Sequence, residues 1–222
     1  VDERARLQTI LDATHAGAWE WVMDQPEIHI NARFAEMLGC TLASMTPLTL
    51  ARLSPRVHPD DLPELRERWV QHQKGETRYF ETEFRVRHDA GHWLWVAGRG
   101  QLLRQVDEHH PGVFSGILLD ITDAREADER LRQSEERFRR LFKESRQPQF
   151  LVEDGMFVDA NQATLDMLGC ASLKDVLGKR PDDFSPTYQP DGKLSRDEVS
   201  RKVEQAMSQG SLRFEWVHTR LD

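Results

Sequence analysis

Two hydrophobic periods alternate along the chain, and the points where one gives way to the other predict its elements. Arg4, Leu7, Leu11 and Thr14 recur at spacings of three and four with Ile10 beside them, which predicts a helix over residues 2–15. Gly17 ends it. Trp19 and Trp21 then flank Glu20 with strand alternation, and Glu27-Ile28-His29-Ile30 predicts a second strand after an Asp24-Gln25-Pro26 turn. Asn31 is placed to cap a following helix whose apolar face is Phe34, Met37 and Leu38. His58-Pro59-Asp60-Asp61 punctuates a loop and opens another helix, with Leu62, Leu65 and Trp69 at helical spacing. Beyond Gly75, Phe80, Thr82, Phe84 and Val86 alternate with charged residues, the pattern of a strand with one wet face. After a turn at Asp89-Ala90-Gly91, strands are predicted over 92–97 and 113–121. Two strands, several short helices and three antiparallel strands make an α+β module of about 105 residues.

Helical periodicity then returns. Asp123-x-x-Glu126 resembles a capping box, and Ala127, Leu131, Ser134, Phe138 and Leu141 follow at spacings of four, three, four and three. That stripe is a short heptad pattern. A helix over 123–146 would span roughly 36 Å at about 1.5 Å per residue. The acids of Glu126–Arg130, Asp128–Arg132, Glu135–Arg139 and Glu136–Arg140 all stand N-terminal to their bases, the better orientation for i,i+4 support. The stripe is expected to pair two chains in parallel; the plainer reading is a solvated helix packed on its own domain. Pro148 closes this linker. Phe150–Val152 and Met156–Asp159 then repeat the opening hairpin, and a helix is predicted over 195–208, with Ser195 and Glu198 as another capping box.

The repeat is explicit. Residues 31–40 read Asn-Ala-Arg-Phe-Ala-Glu-Met-Leu-Gly-Cys and residues 161–170 read Asn-Gln-Ala-Thr-Leu-Asp-Met-Leu-Gly-Cys, an offset of 130. Gly75 before Tyr79–Phe84 and Gly210 before Leu212–Trp216 form a second pair of landmarks in the same order, offset by 135. Two modules of one kind follow: an N-terminal linker helix over 1–16, module one over 17–122, a linker helix over 123–146, and module two over 147–222. By the repeat, the strand at Leu212–Trp216 is expected to belong to the closing set of the second module, and its last two strands fall outside this chain. Gly39 and Gly169 are helix-ending residues that tolerate a left-handed backbone, and Cys40 and Cys170 after them read as small buried side chains rather than a disulfide pair.

Composition narrows the class. Charged residues are 31 % of the chain, net charge is −8, the pI is about 5.6 and mean hydropathy is −0.66. Acids and bases are interspersed, without the basic patch that a phosphate backbone demands, so nucleic acid is excluded as the main partner. No stretch reaches the roughly 18 apolar residues of a membrane span, and the start lacks the pattern of a signal peptide. A cytoplasmic location is expected, with a membrane anchor for the full-length protein left open.

These blocks resemble the PAS family over essentially the whole chain. The matching residues are Gly17-Ala18-Trp19-Glu20-Trp21, His58-Pro59-Asp60-Asp61, Glu83-Phe84-Arg85-Val86-Arg87 and Gly116-Ile117-Leu118-Leu119-Asp120-Ile121-Thr122. The linker run from Leu131 to Phe142 is similar to the helix that commonly joins one PAS module to the next. Gly155-x-Phe157-Val158-Asp159-x-Asn161, the Ser185–Gly192 block and Phe214-Glu215-Trp216 look like another subfamily. The resemblance implies two modules, each a five-stranded antiparallel sheet with short helices on one face around a cavity, the second incomplete. It implies a homodimeric sensory region that signals through the linker helix to a C-terminal effector in cis, such as a diguanylate cyclase or phosphodiesterase, or a histidine kinase. Asp120 and Thr122 then sit where the sheet hands over to the output helix, and both are expected to cap it, Asp120 with a base as a further partner.

Candidate chemistry is sparse. Trp19, Trp21, Phe34, Leu38, Phe84, Trp93 and Trp95 are expected to line the first cavity or its floor. Flavin-adduct members carry a Cys in an Asn-Cys-Arg-Phe block, where this chain has Ala32 in Asn31-Ala32-Arg33-Phe34. Haem-binding members use a helix histidine at a position like that of His72, but a lone helix histidine is more often satisfied by its neighbours. Neither flavin nor haem is expected, and a small-molecule ligand is left open. His109-His110 beside Asp107 and Glu108 reads as a solvated loop rather than a metal site, and Asp60-Asp61 and Asp182-Asp183 read as helix starts. No nucleophile, base and acid come together, so the expectation is a sensor without catalytic residues of its own; the rivals are a cofactor-bearing redox or light sensor and a pure dimerisation module.

Overall fold

The computed structural model describes residues 14–103 and 112–222, in two compact units divided at Arg130 and Leu131. Residues 2–13 of the predicted helix and the His109-His110 loop lie outside the described residues, and Thr14 and His15, at the end of that prediction, form a turn. The first unit opens with β1 (Gly17–Val22) and β2 (Glu27–Ile30), then α1 (Ala32–Met37), α2 (Leu42–Met45), β3 (Leu48–Thr49), α3 (Leu50–Leu53) and α4 (Leu62–Gln73). It closes with β4 (Phe80–Arg87), β5 (Trp93–Leu103) and β6 (Val113–Asp120), followed by α5 (Thr122–Glu144). The sheet is antiparallel with strand order β3-β2-β1-β6-β5-β4. The expected five strands are all there, and the two-residue β3 adds a sixth at the edge that periodicity is too short to reveal. β5 also runs well beyond the predicted 92–97, because Gly98 and Gly100 interrupt its apolar pattern without interrupting its ladder.

Alternation decides which face is dry. In β4, Phe80, Thr82 and Val86 are buried while Glu81, Glu83 and Arg87 are exposed; in β5, Leu94 and Val96 are buried and Trp93 is exposed. The short helices cover the dry face, burying Phe34, Ala35, Met37, Leu38 and Met45 against Leu48, Val86, Val96 and Leu118.

In the second unit, β7 (Phe150–Glu153) pairs with β8 (Met156–Ala160), and α6 (Gln162–Leu168) and α7 (Ser195–Gln209) follow. Its core gathers Phe157, Leu165, Leu168, Val176 and Phe184. The expected strand over Leu212–Trp216 is absent: among the described residues this unit has a two-stranded sheet, and the segment after Gly210 forms no ladder. Single bonds tie the segment down instead, Thr219 N–H to Phe184 O at 2.9 Å and Leu221 N–H to Leu168 O at 2.9 Å. The capping box expected at Ser195 does not form either. Ser195 Oγ donates to Pro186 O at 2.5 Å, and Glu198 instead receives Arg201 Nη2 at 2.8 Å.

The repeat holds in detail. Asn31 (φ −84°, ψ 168°) and Asn161 (φ −83°, ψ 169°) both cap a short helix, their side chains accepting from Phe34 N–H and Thr164 N–H. Gly39 and Gly169 follow at φ +75° and +68°, and Cys40 N–H and Cys170 N–H each return 2.9 Å bonds to Ala35 O and Leu165 O. Both cysteines are free, Cys170 buried and Cys40 partly so.

Candidate functional site: the apolar cavity and the sheet-to-helix junction

Between the sheet and its covering helices the first unit encloses a cavity of about 350 Å³. Gly98, Phe84 and Leu118 form part of its floor, and Leu53, Leu65 and Trp69 stand over them from the helices. Glycine shapes this space. A methyl group on Gly100 would come within 2.6 Å of Trp19 Cη2, and one on Gly116 within 2.6 Å of Trp19 Cζ2. Two glycines side by side in neighbouring strands thus let the Trp19 indole lie against the sheet. A methyl group on Gly98 would meet Phe84 Cε1 at 3.4 Å, ordinary contact.

The aromatic rings interlock. Phe114 stands 4.4 Å from the Trp19 ring and 4.5 Å from the Trp69 ring, and meets Phe80 edge-on at 5.6 Å. Such pairs stabilise by about 0.5–1.5 kcal/mol each beyond their burial, so this end of the cavity is a stiff wall. Trp21 Nε1 donates to Gln25 O at 2.7 Å. His72 is buried behind the wall. Its Nε2 accepts from Leu102 N–H at 3.0 Å, which makes Nδ1 the protonated nitrogen and the donor to Thr77 O at 3.1 Å. Both ring nitrogens are engaged, the arrangement of a satisfied histidine rather than of a ligand awaiting iron.

Trp19, Trp21, Phe34, Leu38 and Phe84 line the cavity. Trp93 and Trp95 do not. They share the opposite parity of β5 from buried Leu94 and Val96 and so face the outer side of the sheet, where the Trp93 ring meets His58 at a tilt of 60° with centroids 4.7 Å apart. An aromatic run Trp-Leu-Trp offers apolar residues on both faces, and only the register with β4 and β6 selects between them. Trp69, Phe80 and Phe114 also line it; the sequence signals are the four-residue helical spacing of Trp69 from Leu65 and the strand parity that Phe80 shares with Phe84 and Phe114 with Leu118. Ala32 is exposed and is not a lining residue, and of the Asn31-Ala32-Arg33-Phe34 block Phe34 is the residue that lines the cavity.

The outer face of β5 carries the junction with α5. Thr122 Oγ1 accepts from Trp95 N–H at 3.0 Å and donates to Trp95 O at 3.4 Å, while Ile121 N–H donates to the same carbonyl at 2.9 Å. Asp120 Oδ1 accepts from Thr122 N–H at 2.9 Å. The helix therefore begins at Thr122, with Asp120 holding a first-turn N–H. Arg125, one turn in, pairs with Glu83 and sets its guanidinium 4.4 Å from the Trp95 ring centroid. Asp61 is not the helix cap that its position before α4 suggests. Its carboxylate takes Arg85 through Nε at 3.0 Å and Nη2 at 2.6 Å, and Arg85 N–H at 2.8 Å. Hydrogen bonding to Arg85 holds the Asp61 carboxyl below its usual range, against the opposing effect of burial. Asp183 does act as a helix start, accepting from Arg180 N–H at 2.8 Å.

Along α5, Leu131, Phe138 and Leu141 are 60 %, 55 % and 64 % exposed, and Ala127 and Ser134 are exposed with them, so among the described residues nothing covers the heptad stripe. Glu126–Arg130 forms as expected at 3.1 Å, and Arg132 pairs onward to Glu136 at 2.5 Å. Among the described residues no cluster of three His, Cys, Asp or Glu is arranged to hold a metal ion, and no helix is long and apolar enough to cross a membrane.

Residues 27–118 match the family model described as PAS fold, and residues 136–203 that described as PAS domain. Over 188 residues the chain is 28% identical to the two-component sensor PprA of Pseudomonas aeruginosa, covering 81% of this chain and 19% of that protein. Over 131 residues it is 28% identical to the methyl sulfide methyltransferase-associated sensor of Methanosarcina acetivorans, covering 58% of this chain and 13% of that protein. The chain therefore spans at most about a fifth of these curated relatives. A solved sensory box histidine kinase/response regulator from Burkholderia thailandensis is similar at 26% identity and TM-score 0.51, covering 61% of this chain and 99% of that one.

Proposed function

Since the chain belongs to the PAS family and carries two of its domains in tandem, we propose that it is the sensory region of a larger signalling protein, in which occupancy of the first domain's cavity is passed to α5 and on to an output domain in cis. Neither domain has a catalytic role in this reading; catalysis belongs to the output domain, a histidine kinase or an enzyme of cyclic-dinucleotide turnover. The observation that carries it is the double use of β5. Gly98 of that strand is part of the cavity floor, and the backbone of Trp95, three residues earlier, is held on both sides by Thr122 of α5. A strand is stiff along its ladder, so displacing its middle on the cavity side biases the bonds at its end. A ligand shifts the arrangement only through its different affinity for the two positions of the junction.

The exposed stripe of α5 supports a homodimer in which two such helices pair, since leaving three large apolar side chains in water forgoes roughly 1.5–3 kcal/mol for each that would be fully buried. Leucine in place of Gly98 imitates an occupied cavity. Amide exchange of residues 123–130 is expected to change by severalfold in Gly98→Leu and to be unchanged by the same replacement in a Thr122→Ala background. Equal responses in the two backgrounds would refute transmission through Thr122.

A further inference from the structure

We propose that the cavity takes a monoanionic amphiphile: an apolar body of about a dozen non-hydrogen atoms bearing one carboxylate, which Arg66 receives at the rim. This rests on the reading of the cavity as the sensing site and adds the chemistry of what it senses. The size follows from the volume. About 350 Å³ is near the small end of known small-molecule sites, roughly 300–1,000 Å³, and at about 30 Å³ for a water-sized group it holds about a dozen.

The apolar body follows from the lining. Apart from the tryptophan indoles, Ser54 and Arg66 supply the only polar side chains among nineteen lining residues. Ser54 is already committed, its hydroxyl donating to Leu50 O. Arg66 is not. Its helical neighbours at three and four residues are Leu62, Pro63, Trp69 and Val70, none of them acidic. The other arginines near this end are satisfied: Arg68 by Glu64 at 2.8 Å, Arg85 by Asp61 at 2.6 Å, and Arg52 by the carbonyls of Ser44, Met45 and Pro47. Among the described residues Arg66 thus stands exposed at an apolar opening with five donors and no acceptor. A planar fork matches a carboxylate in bidentate fashion, and apolar walls on one side strengthen the contact over what water alone would allow. A single guanidinium with no second cation on the lining suits one negative charge rather than two. In a chain of net charge −8 the long-range field does not draw anions, so the local cation sets the preference.

Decanoate and decanol are the probes, both below their micellar or solubility limits, followed by tryptophan fluorescence, since three of the six tryptophans line the cavity. The 222-residue chain is expected to bind decanoate at least tenfold more tightly than decanol, and Arg66→Gln to erase that difference while leaving decanol affinity unchanged. Because Arg66 is exposed and has no hydrogen-bond or ion-pair partner among the described residues, this variant is expected to remain folded, as circular dichroism would show. Equal affinities in the wild type, or decanoate binding untouched by Arg66→Gln, would overturn the carboxylate assignment and leave the cavity reading intact. Failure of both probes to bind, or undiminished binding of both in Gly98→Leu, would overturn the cavity reading and this proposal with it.

Discussion

Replacing Asn161 with alanine should destabilise the second domain by about 3–7 kcal/mol. Asn161 is 1 % exposed. Its Oδ1 accepts from Gln149 N–H at 3.0 Å, Thr164 N–H at 3.0 Å and Thr164 Oγ at 2.8 Å. Its Nδ2 faces Phe142 O at 3.0 Å, Ser145 O at 3.3 Å and Gln147 O at 2.8 Å. One side chain therefore starts α6, anchors the strand entry, and donates to a carbonyl in the last turn of α5. Losing a helix cap costs about 1 kcal/mol, and each buried partner left unsatisfied costs roughly 1–3 kcal/mol. One cap and two groups that water does not reach give the figure stated. Asn31, its counterpart, is partly exposed and makes fewer bonds: it accepts from Ala18 N–H and Phe34 N–H, both at 2.9 Å, and donates to Ala16 O at 3.2 Å. Asn31→Ala should cost about 1–2 kcal/mol by the same reckoning. Amide exchange resolved by peptide separates the domains. Protection around Phe157 and Leu165 should fall by about two orders of magnitude or more in Asn161→Ala, following about 1.4 kcal/mol per decade, while peptides covering Val86 and Val96 keep theirs. Asn161→Asp keeps the acceptor but turns a carboxylate toward three carbonyl oxygens, so it should be no milder than alanine. A loss below about 1 kcal/mol in Asn161→Ala, or one no larger than for Asn31→Ala, would refute the reasoning, because it would mean that these groups are rehydrated at little cost.

Gly98→Ala should leave the melting temperature within a few degrees, since the added methyl meets only ordinary contacts, whereas Gly100→Ala should cost about 1–3 kcal/mol through its 2.6 Å approach to Trp19; thermal melts of the two variants check the order. The depressed Asp61 carboxyl predicts a pH dependence. A group whose folded-state pKa lies below its unfolded value of about 3.9 stabilises the fold above that value and loses the contribution as pH falls through the folded-state pKa. The first domain should therefore weaken below about pH 4, and Asp61→Asn should flatten that limb; an unchanged acid limb would count against the pair. Leu131→Glu combined with Phe138→Glu should lower the dimer fraction in sedimentation velocity, and an unchanged profile would sink the helix-pairing proposal.

Much of this was legible before any coordinates. The alternation in β1 and β4, the cap at Asn31, the turn glycines and the offset of 130 between two copies of one block are local signals, because strand and helix periods are imposed by backbone geometry within a few residues. The resemblance to the PAS family rested on the order of such blocks, and it held. Facing was not legible. Trp93 and Trp95 carry the same letters as Trp19 and Trp21, and only strand pairing puts one pair on the cavity side and the other outside. Nor were the long-range partners: Asp61 with Arg85 across 24 residues, Trp95 with Thr122 across 27, and Asn161 with Phe142 across 19. A side chain's hydrogen bonds are settled by what the fold brings within about 3 Å, and sequence distance carries no record of that. The tandem modules were written in periodicity; the cavity, the placing of Arg66 on its lining and the hold of Thr122 on β5 came into being only when the sheet closed.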